Sequence, residues 1–97
     1  MRGERGPADL LLDAWAEGMP LRVVRDRIVG PRSLEREVAA HRDELVALLT
    51  TPLGALVARL DDDEREAWSE RAAILEHDAG IPRDLADRAA AWWARRP

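Results

Sequence analysis

At 97 residues, with 46% apolar and 35% charged side chains, the chain has room for one small helix-rich domain, or for such a domain with a helical extension. It contains no Cys and, as histidines, only His41 and His77. Disulfides, thiolate chemistry and a structural zinc site are therefore excluded, and a net charge of −4 disfavours a broad nucleic-acid surface. No apolar run approaches the roughly 18 residues of a membrane span. The opening Met-Arg-Gly-Glu-Arg-Gly-Pro has no apolar h-region behind it, so a cytoplasmic location is expected.

Residues 1–6 read as a charged, frayed lead-in. Pro7 suits the first turn of a helix, and Leu11, Leu12 and Trp15 recur at helical spacing over Ala8 to Glu17. Gly18 supplies a left-handed stop and Pro20 prevents continuation. Leu21-Arg22-Val23-Val24-Arg25 and Arg27-Ile28-Val29 are strand-like, with Asp26 at the turn. So short a hairpin must lean on helices. A second helix is predicted from about Pro31 to Leu49, with Leu34, Val38, Leu45 and Leu48 or Leu49 in one stripe. His41 falls beside that stripe, as a boundary residue with one polar edge in water.

Thr50-Thr51-Pro52 is the clearest break, with Thr51 as cap and Pro52 as the first helical residue. Leu53, Leu56, Val57 and Leu60 share a face in the short segment that follows. Asp61 and Glu64 then have the spacing of a capping box, ahead of a helix carrying Trp68, Ala72, Leu75 and Ala79 in register. Gly80 followed by Ile81 fits a Schellman ending. Pro82 starts a last helix with Leu85, Ala89 and Trp92 or Trp93 on its apolar side. The predicted fold class is mostly α with a small β-hairpin: an α-β-β-α unit over 1–50 and a helical extension of two to three helices over 51–97.

No catalytic constellation is present: the few Ser and Thr residues have no His in a recognisable motif, and there is no Gly-rich phosphate loop. No enzyme activity and no cofactor are expected. Asp61-Asp62-Asp63-Glu64 lacks the ligand spacing and glycine of a calcium loop, and acidic residues suit a helix start anyway. No metal site is assigned. Trp92-Trp93 beside Arg95-Arg96 has the composition of a stacking and phosphate-contact pair for single strands. Adjacent helix positions point about 100° apart, so only one indole can face a core fully and the other belongs at an edge or interface. Leu75 to Trp93 also reads as helix, turn, helix, although Asp84 and Asp87 offset Arg83 and Arg88. A homodimer is expected from the small core, with Leu45, Trp68, Trp92 and Trp93 as packing or interface residues. Lys, Asn, Phe and Tyr, whose codons are A/T-rich, are all absent, which points to a GC-rich bacterial genome. The use of Arg for Lys is then no sign of phosphate binding.

Leu21-Arg22-Val23 with Asp26-Arg27-Ile28, and then Ala40-His41-Arg42-Asp43-Glu44-Leu45-Val46-Ala47-Leu48-Leu49, resemble the hairpin and helix ending of TubC-type N-terminal docking domains. That family links successive subunits of nonribosomal-peptide and polyketide synthetases. The resemblance implies a helix–hairpin–helix adaptor whose hairpin edge, with Arg22, Val24, Arg25 and Arg27, receives an acidic C-terminal or linear segment of a partner protein. The same arginines also read as guards against edge-to-edge aggregation. Arg25 stands where similar domains carry Gly before the Asp. Because positive φ costs a non-Gly residue roughly 1–2 kcal/mol, a turn looser than type I′ is expected. The tail, from Glu70-Arg71-Ala72-Ala73-Ile74-Leu75-Glu76 through Asp78, Gly80, Pro82-Arg83 and Ala86, is similar to tails of small proteins from bacterial mobile elements and plasmid or phage replication loci. It implies the alternative role, an accessory nucleic-acid-associated protein acting through that tail.

Overall fold

A computed structural model describes residues 5–95. The chain divides between Thr50 and Thr51 into two compact units. The architecture is mostly α, with one two-stranded antiparallel hairpin.

In the first unit, α1 (Pro7–Ala16) begins with Pro7 in its first turn, and the Asp9 carboxylate accepts the Gly6 amide at 3.0 Å. Arg5 is engaged rather than frayed: its guanidinium meets Asp13 at 2.7 Å and Glu37 at 2.8 Å. The rest of the expected lead-in, residues 1–4, lies outside the described residues. Gly18, at φ 83°, ends α1 in a full Schellman pattern, with Gly18 N–H to Trp15 O at 2.9 Å and Met19 N–H to Ala14 O at 3.0 Å. Strands β1 (Arg22–Val24) and β2 (Arg27–Val29) pair in the register Arg22↔Val29, Val23↔Ile28 and Val24↔Arg27. Leu21 is buried beside Gly30, where a Cβ would fall 2.3 Å from the Leu21 Cδ2. A side chain at position 30 would therefore require the tip of the Leu21 side chain to shift.

The turn corrects the sequence reading. Arg25 is not a strand residue: Arg25 and Asp26 form a tight two-residue turn with φ 51° and 67°, the signs of type I′. The looser turn expected from the missing glycine does not occur. Asp tolerates this region through its short polar side chain, and the Arg42 guanidinium donates to the Asp26 carbonyl and holds the tip.

The long second helix is also corrected. A 3₁₀ turn (Arg32–Leu34) leads into α2 (Glu35–Ala40), and α3 (Arg42–Thr50) starts afresh after His41. His41, at φ −115° and ψ 26°, shares its N–H between the Glu37 and Val38 carbonyls and gives its own carbonyl to Leu45. Its Nδ1 lies 2.8 Å from Glu44 Oε1 in the first turn of the new helix, while one edge of the ring stays in water. Leu10, Leu11, Leu34 and Leu45 are the largest fully buried side chains of this unit, joined by Ala8, Ala14, Leu21 and Leu48.

The second unit holds α4 (Leu53–Ala58), α5 (Asp62–Ala79) and α6 (Arg83–Ala94). Pro52 and Pro82 are the caps of α4 and α6, not their first helical residues, because ψ of 141° and 142° keeps each extended. Thr51 is correspondingly not the cap. Asp61 and Glu64 do form the reciprocal capping box, with both bonds at 2.8 Å. Gly80 is left-handed at φ 69°, but the amides of both Gly80 and Ile81 return to the Leu75 carbonyl, two residues and one residue farther back, respectively, than a Schellman ending requires. Ile81 is buried all the same. The α5–α6 hairpin packs on small residues: Ala72 and Ala89 are buried as expected, joined by Ala86, Ala90, Ala91 and Ala94, whereas Leu85, Trp92 and Trp93 are only half-buried.

Candidate functional site

Among the described residues, the two-stranded sheet leaves the outer side of each strand without a partner strand. In a two-residue hairpin the pair flanking the turn, Val24 and Arg27, exchanges its main-chain bonds, and exchange then alternates along the ladder. The N–H and C=O of Ile28 therefore point away from β1, and by the same alternation so do those of Gly30. That edge opens on a groove of about 860 Å³ lined by the whole of β2 and by no residue of β1. The far wall comes from the 3₁₀ turn, α2 and the first residue of α3, with Met19 from the loop after α1.

The floor and walls are apolar: Ile28, Val29, Pro31, Val38 and Ala39 line the groove, and Met19 is 47% exposed above it. Its rim is charged, with Arg27, Arg32 and Arg42 facing Asp26 and Glu35. The basic excess is local, because residues 21–34 carry four arginines and one aspartate in a chain of net charge −4. Arg42 donates to the Asp26 carbonyl and lies 3.2 Å from Asp43, which ties it across the end of the groove nearest the hairpin tip. Pro31, which has no N–H, ends the row of edge donors at the other end.

Of the residues singled out in sequence, Arg27 lines this groove, whereas Arg22, Val24 and Arg25 do not. Arg22 and Val24 share the outward face of the hairpin with Arg27 and Val29, Val24 being 44% exposed, and Arg25 sits at the tip. Sequence reasoning missed Met19, Arg32, Glu35, Val38, Ala39 and Arg42. Arg32 and Glu35 were legible only as helix-surface charge, and Arg42 reaches the tip because the chain breaks at His41.

Leu45 is fully buried inside the first unit and presents no surface. Trp68 is half-buried and donates its indole N–H to the Asp87 carbonyl at 3.0 Å. Neither Trp92 nor Trp93 faces the core fully. Both are half-buried, with the Arg95 guanidinium 4.5 Å from the Trp92 ring centre and Arg71 5.5 Å from that of Trp93. Arg96, the other half of the expected arginine pair, lies outside the described residues. Early in α6, Arg88 bonds Asp84 at 3.2 Å and the Thr51 carbonyl at 2.7 Å, and Arg83 lies 3.8 Å from Asp87. Among the described residues, no three His, Cys, Asp or Glu side chains group in a way that could hold a metal ion, and no helix is long and apolar enough to cross a membrane. No protein-family model, curated protein or solved structure matches the chain.

Proposed function

We propose that the chain is a non-catalytic docking or adaptor protein of the bacterial cytoplasm that takes an acidic, extended segment of a partner protein into the groove beside β2. The observation that carries this reading is the coincidence of an unpaired strand edge, an apolar trough and a basic rim within one unit. An incoming strand gains main-chain bonds at Ile28 and Gly30, places alternate apolar side chains against Val38 and Ala39, and meets the guanidinium groups of Arg27 and Arg32 with its carboxylates. Resemblance to docking domains of peptide and polyketide synthetases supports the same role. A homodimer fits this reading only through another face, since two β2 edges meeting would set Arg27 and Arg32 of both copies together.

The test is selection from a displayed library of random peptides, followed by calorimetric titration of a selected peptide. With Arg27→Glu and Arg32→Glu together, affinity is expected to fall by about 100-fold, each rim reversal contributing on the order of 1 kcal/mol or more. The thermal melt should stay within a few degrees of the parent. Unchanged affinity would overturn the reading. The second reading, an accessory nucleic-acid-associated protein of a mobile element, rests on the half-exposed Trp92 and Trp93 with their arginines. A salt-dependent shift on single-stranded DNA, abolished by Trp92→Ala, would favour it.

A further inference from the structure

We infer that the groove is also a binding site for a small amphiphilic monocarboxylate, a free fatty acid of medium chain length, which competes with the partner segment and so regulates docking. The competition rests on the docking reading above; the binding itself does not. Charge along the groove carries the inference. Arg42 is bonded to the carbonyl of Asp26, the residue before Arg27, so Arg27 and Arg42 share the end of the groove at the hairpin tip. Together with Asp26 they leave one net positive charge there. At the other end Arg32 and Glu35, three residues apart, leave none. Between the ends the lining is apolar, and a cleft of about 860 Å³ is of the size that takes a small molecule. One positive end on an apolar trough is the complement of an anion with one charged end and a hydrocarbon tail.

Each part of such a ligand has a place. Arg42 spends one N–H on Asp26 and one on Asp43, and a guanidinium has five, so donors remain for a carboxylate. Asp43 does not cancel that charge, because its side chain is 96% exposed and water screens the pair. Arg27 is exposed, and its guanidinium pairs with no carboxylate among the described residues. The tail lies along Val38 and Ala39 of the far wall and against Met19, whose unbranched thioether adapts to a flexible chain. From Asp26 to Pro31 the groove follows a length of roughly 16 Å at the rise of an extended chain, which a tail of medium length fills. The trough is open, so the outward main-chain groups of Ile28 and Gly30 keep their water.

The test is titration of the full chain with straight-chain carboxylates from hexanoate to tetradecanoate, each below its micelle-forming concentration, read by the magnetic-resonance shifts of backbone amides. Affinity should rise about two- to fourfold for each added methylene, the upper figure being that of full burial, and level off once the tail outruns the trough. Decanol and decylamine should bind about tenfold more weakly than decanoate. Arg27→Gln should weaken decanoate by a similar factor and leave decanol unchanged. Decanoate should also displace a peptide selected for docking. Equal binding of decanol and decanoate to the unaltered chain, or shifts confined to residues outside the groove, overturns the inference and leaves docking to its own arginine reversals. Decanoate held in the groove without displacing a selected peptide overturns the regulatory role. A library that yields no peptide removes the docking reading and the competition, while the chain-length series and the decanol comparison still decide the site.

Discussion

Arg25 and Asp26 stand side by side in the left-handed region, where neither has the freedom of glycine. The local cost is offset by the Arg42 bond to the Asp26 carbonyl and by a ladder whose register admits only two turn residues. Strain held in place by its surroundings is common where a chain presents an edge to a ligand. Replacing the pair by the residues this turn favours, Arg25→Asn with Asp26→Gly, should stabilise the chain by about 1 kcal/mol, since positive φ is then adopted at little cost. The thermal midpoint should rise by a few degrees. A fall would show that Arg25 or the Asp26 carboxylate makes a stabilising contact that outweighs the backbone. His41 is the other residue whose conformation matters beyond its size: by ending α2 it turns Arg42 toward the hairpin tip.

Among the elements, α5 and α6 illustrate how a polar helix pair can be held by few large side chains. The buried face of α6 is alanine, which lets the two backbones approach closely, while Trp68 spans to the Asp87 carbonyl. Burial beside that contact pushes the Asp87 carboxyl above the ordinary aspartate range; Arg83 opposes the shift, and Glu76 and Asp84 add to it. A carboxyl whose pKa is higher folded than unfolded binds its proton more readily in the folded chain. Its contribution to stability is then favourable at acid pH and is lost as pH rises through the folded value. Asp87→Asn should accordingly be more stable than the parent at neutral pH, with the advantage disappearing as pH falls below the ordinary aspartate range. Melts from pH 3 to 7 check the sign, and a parent more stable at neutrality would mean that the Arg83 pairing dominates. The hairpin, the Asp61–Glu64 box and the glycine stops were legible because each is a local pattern. The break at His41 was not, because it involves neither Pro nor Gly and falls within an unbroken leucine stripe. The tight turn was not either, since its support comes from Arg42, sixteen residues along the chain from Asp26.

For the whole molecule, the sequence carried the fold class but not the groove. The groove is assembled from residues 19–42, in which the strand edge is set by alternation, the far wall by a helix that was expected to continue, and the closed end by a guanidinium. No periodicity in a single segment encodes such a juxtaposition. The expected homodimer can be separated from docking. Light scattering at tens of micromolar should show a dimer whose mass is unchanged by Arg27→Glu with Arg32→Glu, because those residues lie outside the proposed contact between copies. A monomer, or a dimer lost on that change, would overturn the separation.

The brevity of the β2 edge has a kinetic consequence. Between the turn at Asp26 and the donor-less Pro31, only Ile28 and Gly30 offer outward main-chain groups, so an incoming strand makes about four main-chain bonds. At roughly 1 kcal/mol net for each bond, most of the lifetime of a complex must come from side chains in the trough. Rim arginines meanwhile accelerate encounter at low ionic strength. Association should therefore be fast and salt-sensitive, and dissociation should be complete within about a second. Stopped-flow mixing of a selected peptide at two salt concentrations reads both rates: the groove would exchange partners quickly, holding each one for a single round of work before releasing it.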